Sequence, residues 1–287
     1  MSAGDKLLQL WLRAAGHDPG PIDGIYGPKT GRAVVAFQQQ AGLSVDGIVG
    51  PKTCASLYEA TGVVAREWRI CNNTVYALGF DRKRYTQRMV LGRPQPVSRH
   101  ARGHIAAING GFFDLRSGLP IGATIYEGTV VNDLADNRAG EWAILDVDNL
   151  RILRHPGRAS LLAKSGVENC VASYTRLIVD GKADIGRTCW NLRRRQPRSA
   201  IGWSDAMLWF VVADGRRHGS AGLTLTQLRD VTGMALNTPD LHGQAGWCNN
   251  AMSLDGGGSS TLVWQGHVIN HPSDGRERPV PTAIVID

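Results

Sequence analysis

Several familiar signatures are missing from this chain. Its longest uninterrupted apolar run, Ala206 to Ala213, is eight residues, far short of the ~20 that carry a helix across a bilayer. No membrane insertion is expected. Asp5 and Lys6 precede an amphipathic stretch, not a continuous apolar segment, so no signal peptide is expected in the chain as given. Five cysteines (54, 71, 170, 189 and 248) are scattered and form no CxxC, which disfavours both a disulfide framework and a cysteine zinc site. The chain has no GxxxxGKS/T phosphate loop and no GxSxG elbow, which excludes P-loop nucleotide hydrolysis and the nucleophile-elbow esterases. His100 and His104 are four apart, but with Arg102 and Gly103 between them they lack the HExxH context of a zinc peptidase. Proline is sparse and no Gly-X-Y period occurs, so collagen-like and low-complexity chains are excluded too.

Glycine, in contrast, is abundant. There are 35 in 287 residues, well above the roughly 7% of average usage. The excess marks turns, or places where backbone approaches another group closely. The length exceeds one ordinary domain and predicts two, and 43% hydrophobic residues can bury a sizeable core. The net charge of +7 lies wholly beyond residue 61, because residues 1–61 carry five basic and five acidic side chains. It concentrates in Arg82-Lys83-Arg84 with Arg88 and in Arg193-Arg194-Arg195 with Arg198. A phosphate-bearing or acidic polymer is the partner such clusters suit.

An internal repeat organises the first sixty residues. DGIYGPKT (Asp23–Thr30) recurs as DGIVGPKT (Asp46–Thr53), 23 residues later and with one difference. In each copy Asp-Gly makes a turn, Ile packs inward, and Pro28 or Pro51 occupies a first helical position, where its missing N–H costs nothing. Leu7, Leu8, Trp11, Leu12 and Ala15 form one helical stripe, and Val34, Phe37 and Ala41 form another. The expectation is a small all-α module of three helices held by two matching turns. Paired DG-x-x-GP-x-T turns around an AVxxFQ helix resemble the peptidoglycan-binding domain 1 family over about residues 5–60. That resemblance implies non-catalytic binding of a glycan strand or stem peptide near the turns, with Asp23, Tyr26 and Asp46 as candidate contacts. A neutral module fits a carbohydrate better than a nucleic acid.

After a junction the pattern changes to short apolar segments separated by turns, predicting a mixed α+β, strand-rich domain. We place boundaries at 1–61, a linker at 62–68, and a second domain at 69–287. Strands are expected around Val75–Leu78, Arg88–Leu91, Ile105–Ile108, Ala143–Leu145, Arg176–Val179, Met207–Val212, Ser253–Leu254, Thr261–Val263 and Ala283–Ile286. Helices are expected at Val97–Arg102 and Thr226–Met234. Glycine-rich motifs fall at strand ends, where loops carry function: NGGFFD (Asn109–Asp114), ADGRR (Ala213–Arg217), LDGGGSSTLV (Leu254–Val263) and HPSDGRERPVPTAIVI (His271–Ile286). Gly256-Gly257-Gly258 followed by Ser259-Ser260-Thr261 offers several N–H groups and hydroxyls to one anion.

NGGFF, PRSAIG, the DGR after an apolar strand, GLTLTQL, LDGGGSST and PSDGRER, in that order, resemble the phosphodiester glycosidase family over nearly all of residues 70–287. The resemblance implies hydrolysis of a sugar-1-phosphodiester at its anomeric C–O bond. An oxocarbenium-like transition state needs a carboxylate near the ring, and a phosphate leaving group needs cationic donors, for which arginine's fork is suited. Asp255, Asp214 and Asp114 are the expected catalytic carboxylates. Arg198, Arg216 and Arg276 are expected on phosphate, Asn109 with the Gly110-Gly111 backbone on sugar hydroxyls, and Gly256, Gly257, Ser259, Ser260, Thr261 and Asp274 around them. No cofactor is expected; a divalent cation such as calcium would have to sit among Asp114, Asp214 and Asp255. Ala172-Ser173-Tyr174-Thr175 and the insertion Asn237–Cys248 depart from the family pattern, so sugar specificity does not transfer. The combined expectation is a wall-acting hydrolase, phage-released or bacterial, with peptidoglycan and a phosphate-linked glycan as partners. A non-catalytic sugar-phosphate binder and a peptidoglycan-cleaving lysin are the alternatives.

Overall fold

The computed structural model describes residues 4–133, 143–154, 158–173, 175–185, 193–235 and 248–287. Three helices come first: α1 (Asp5–Ala14), α2 (Pro28–Gln40) and α3 (Pro51–Thr61). Pro28 and Pro51 open α2 and α3 as the repeat predicts. The two turns are braced identically. Gln9 Nε2 donates to Asp23 Oδ1 and the Ile25 carbonyl while its Oε1 accepts from Gly24 N–H. Gln38 repeats this with Asp46, Ile48 and Gly47. Asp23 and Asp46 also accept the N–H two residues on, from Ile25 and Ile48, and these hydrogen bonds hold both carboxyls below their ordinary range. Both aspartates thus build the turns while remaining exposed at the surface.

The expected linker 62–68 is instead part of a strand. Gly62 ends α3 in the left-handed conformation at φ 68°, a geometry glycine adopts without a Cβ clash, and β1 (Val63–Ile70) begins at the next residue. The remaining elements are β2 (Asn73–Asp81), β3 (Gln87–Gln95), α4 (Val97–His100), β4 (Ala106–Asn109), β5 (Thr124–Tyr126), β6 (Thr129–Asn132), β7 (Ala143–Asp146), β8 (Arg151–Arg154), α5 (Ala159–Lys164), β9 (Cys170–Ser173), β10 (Arg176–Val179), β11 (Lys182–Ala183), β12 (Arg198–Trp203), β13 (Met207–Ala213), α6 (Leu225–Ala235), β14 (Asn250–Ser253), β15 (Leu262–Trp264), β16 (His267–Val268) and β17 (Val280–Ile286). They form three sheets, ordered β1-β2-β13-β12-β14-β10-β11, β16-β15-β4-β17-β3 and β6-β5-β9-β7-β8. The described ladders are antiparallel. Within the third sheet only β7 is expected from the sequence; its other strands and α5 escape the sequence reading, since these strands are three or four residues long and lack alternation.

The central core lies between the sheets. Along β13, Leu208, Phe210 and Val212 enter it, while Trp209, Val211 and Ala213 pack against α6 on the other face. Burial on both faces explains why the longest apolar run of the chain is this strand. The same core takes in Leu7, Leu10, Trp11 and Leu12 of α1. Leu10, outside the predicted stripe, is fully buried, because α1 packs on its sister helices with one face and on the strand domain with another. Trp11 Nε1 donates to Thr61 Oγ1 at 3.1 Å, and Gln265 Nε2, in the β15–β16 turn, donates to the Leu10 carbonyl at 3.1 Å. The two domains therefore share one hydrophobic core.

Candidate active site

The site forms where β4 and β14 end side by side. Asn109, the last residue of β4, is fully buried. Its Nδ2 donates to the Asp255 carbonyl at 2.7 Å, and its Oδ1 accepts from Ser199 Oγ at 2.8 Å and Thr261 N–H at 3.2 Å. Asp255 N–H donates in turn to the Gly110 carbonyl at 3.1 Å. A Cβ on Gly111 would stand 2.4 Å from the Ala172 carbonyl oxygen, so this position has no room for a side chain. Asn109 and Gly110 are consumed in fixing the loop after β14.

That loop continues as Gly256 to Ser260 with a single turn of 3-10 helix at Gly257–Ser259. Gly257 has φ 64° and donates its N–H to the Pro197 carbonyl at 2.9 Å. The Arg216 guanidinium passes so close that a Cβ on Gly257 would lie 3.1 Å from its terminal nitrogens. Gly258 is covered by the Arg278–Asp274 pair, joined at 2.7 Å. Asp255 is therefore flanked by a glycine floor and two guanidinium groups, and it is 9% exposed. Burial pushes its carboxyl up to about 6, against the opposing pull of Ser259, Arg278, the Gly256 N–H and Arg216. The hydroxyls of Ser259, Ser260 and Thr261 are buried and make no hydrogen bond of normal geometry among the described residues.

Asp214 sits in an adjoining cluster. It is 4% exposed and accepts from His271 N–H at 3.0 Å and Asn270 Nδ2 at 3.4 Å. Its Oδ2 faces His271 Nδ1 at 3.1 Å, and Tyr76 Oη approaches the same nitrogen at 3.2 Å. Asn270 Nδ2 also reaches the Ser260 carbonyl at 2.9 Å, joining this cluster to the glycine loop. The Asp214 carboxylate is thus engaged in orienting His271, a positioning arrangement. Glu67 of β1 lies in the same electrostatic field, its carboxyl raised chiefly by burial.

Asp114 and Arg276 lie away from Asp255, whereas Arg198 adjoins the glycine loop, its Cδ 3.8 Å from where a Cβ on Gly256 would stand. Asp114 is exposed and caps its own turn, accepting from Arg116 N–H, Ser117 N–H and Ser117 Oγ, and these bonds lower its pKa. Arg198 is 6% exposed and donates Nε and Nη2 to the Leu223 and Arg194 carbonyls, which ties strand β12 to the loops beside it. Arg276 lines a neighbouring cleft, while Arg278, two residues on, faces Asp255. Neither Arg278, within PSDGRER, nor His271 stands out in the sequence pattern. Among the described residues no group of three or more His, Cys, Asp or Glu side chains is arranged for a metal ion, so Asp114, Asp214 and Asp255 do not make a common cation site. Tyr174 and residues 237–247 of the Asn237–Cys248 insertion lie outside the described residues.

Comparison with known proteins agrees with this architecture. The phosphodiester glycosidase family matches residues 102–287, and the peptidoglycan binding domain matches residues 2–57. The SPbeta prophage-derived uncharacterized protein YomE of Bacillus subtilis is 37% identical over 131 residues, covering 45% of this chain and 19% of that protein. The zinc D-Ala-D-Ala carboxypeptidase of Streptomyces albus G is 44% identical over 63 residues, covering 20% of this chain and 24% of that enzyme. The chain thus spans about a fifth and a quarter of these two relatives. In fold it is similar to the catalytic domain of zebrafish N-acetylglucosamine-1-phosphodiester alpha-N-acetylglucosaminidase auto-inhibited by its pro-peptide, with TM-score 0.56, 18% identity, and coverage of 78% of this chain and 81% of that one. With its larger, three-sheet part matched from residue 102 to its last residue, the chain belongs to the phosphodiester glycosidase family and carries a peptidoglycan binding domain ahead of it.

Proposed function

We propose that the protein is a wall-targeted hydrolase that cleaves a sugar-1-phosphodiester, the type of bond that joins phosphate-linked glycopolymers to peptidoglycan. The observation that carries this reading is the buried Asp255 carboxyl beneath Arg216 and Arg278 on a floor of glycines. Two guanidinium groups suit the non-bridging oxygens of a phosphate, and glycine lets that phosphate approach the backbone. A carboxyl that titrates near 6 is ionised enough at neutral pH to take a proton from water. In this mechanism the anomeric C–O bond breaks and its electron pair passes to the phosphate oxygen, giving a phosphomonoester. Water bonds to the anomeric carbon, and its proton goes to Asp255. Arg216 and Arg278 stabilise the charge gathering on the leaving phosphate. Asp214 acts through His271 and Asn270, holding the loop from the other side.

The wall-binding module contributes a surface of exposed apolar side chains: Ile25 and Ile48, which the repeat predicts to pack inward, face outward with Tyr26, Val35 and Val45. Tyr26 spans the two turns by donating to the Gly47 carbonyl at 2.9 Å. These residues, with the exposed Asp23 and Asp46 in the turns beside them, are the proposed glycan contacts. Because the module is built into the enzyme core, the wall is held at a fixed geometry to the catalytic loop, raising effective concentration without a mobile tether.

The test uses the full chain on an N-acetylglucosamine-1-phosphodiester and on purified walls, reading released phosphomonoester by phosphorus NMR. Turnover that falls at least a hundredfold in Asp255→Asn, with wall pull-down unchanged, supports the reading. Undiminished turnover in that variant, or turbidity loss from sacculi stripped of attached polymers, would overturn it.

A further inference from the structure

A cleft of about 490 Å³ opens over β1 and the turn after β13, and a second of about 470 Å³ adjoins it, Arg217 and His271 lining both. Arg69 and His218 face the first cleft; Lys6 of α1 and Arg276 face the second. The groove therefore runs from the peptidoglycan binding domain across the edge of the large sheet. Arg69, His218 and Arg276 are exposed and form no ion pair among the described residues. Arg217 has only a long contact of 4.0 Å to Asp214. The acidic groups nearby are occupied. Asp214 is buried against His271, and Glu277 accepts from the Ser98 N–H and hydroxyl. Glu67 is half-buried and pushed toward its neutral form. Lys6, Arg69, Arg217 and Arg276 thus outnumber the two lining carboxylates, Asp214 and Glu277, and a net-positive groove of this size is a site for anions.

We propose that this groove binds a second phosphate group of a polymeric substrate, distinct from the phosphate at the scissile bond. The proposal rests on the sugar-1-phosphodiester reading and names its substrate class: a chain of repeating phosphodiesters, not a single one. The two sites are neighbours in the chain itself. Arg216 covers the Gly257 loop, whereas Arg217, the next residue, turns into the groove. Asn270 links them by bonding both Asp214 and the Ser260 carbonyl. Lys6 donates to the Val268 carbonyl at 2.6 Å and brings the wall-binding module to the rim, so the groove is complete only with both domains present. A polymer rooted in peptidoglycan would run from the module along the groove to Asp255.

The experiment compares the full chain with its Arg69→Gln/His218→Gln variant, both exposed positions away from Asp255. The probes are a synthetic glycerol-phosphate hexamer, a glutamate hexamer, and the small N-acetylglucosamine-1-phosphodiester. We expect the phosphate hexamer to bind the parent at least tenfold tighter than the variant, with affinity falling as salt rises. The glutamate hexamer should bind the parent at least tenfold more weakly than the phosphate hexamer. KM for the small diester and the melting temperature should stay unchanged in the variant. Equal hexamer binding by parent and variant, or equal binding of the two hexamers, would overturn the groove. Absence of any turnover of the small diester by the parent would instead count against the glycosidase reading, with the hexamer result judging the groove separately.

Discussion

Asparagine at position 255 keeps the shape of the aspartate and removes its titration, which makes Asp255→Asn the most informative single change. The Asp255 carboxyl titrates at about 6 in the fold against an ordinary 3.8, so the folded chain holds this proton more tightly than the unfolded chain. Stability is therefore fully present below 3.8 and is lost as pH rises through about 6. At about 1.4 kcal/mol per pKa unit, the gap between 3.8 and about 6 amounts to ~3 kcal/mol. The variant avoids this cost. Relative to the parent it should gain up to about 3 kcal/mol between pH 4 and pH 8, or roughly 5–10 °C in melting temperature for a chain of this size. Over the same range its turnover should be down at least a hundredfold, and the parent's acid limb in kcat/KM near pH 6 should be missing. Thermal melts at both pH values, with a pH–rate profile, measure all three quantities. A stability difference between variant and parent that does not change from pH 4 to pH 8 would refute the reasoning. So would a parent rate profile that is flat through pH 6.

Three other outcomes follow from the same geometry. Arg278 favours the ionised Asp255, so Arg278→Ala should move the acid limb of kcat/KM to higher pH and raise KM; a limb that stays in place would show that the guanidinium does not act on this carboxyl. Gly111→Ala would place a methyl group 2.4 Å from the Ala172 carbonyl oxygen and should cost about 1–3 kcal/mol or more in urea unfolding. Because α1 shares its core with β1 and β2, calorimetry of the full chain should show a single transition, and two separated transitions would show that the domains unfold independently.

Local features carried much of what the sequence reveals. The DGIYGPKT and DGIVGPKT copies predict their turns and helix starts because proline, glycine and aspartate act within a few residues of themselves. The order of glycine-rich motifs likewise led to the family. The bracing glutamines of the two turns were not legible, since Gln9 lies 14 residues from Asp23 and Gln38 only 8 from Asp46, which hides a shared geometry behind unequal spacing. The strand at 63–70 was hidden because what holds it, β2 and the apolar face of α1, leaves no mark in its own residues.

The sequence by itself determined the two domain families, the helices of the first and the loop that bears Asp255, all set by short-range backbone preferences and motif order. Only the tertiary structure decided which polar groups those loops leave for chemistry. Asn109 and Asp255 are 146 residues apart and meet because β4 and β14 end together. That pairing commits the asparagine amide to backbone, while Arg278 instead of Arg276 lies over the glycine floor and Asp214 turns toward His271. Burial then raises Asp255 into the range where a carboxylate can move a proton, a property of its surroundings and not of its place in the chain.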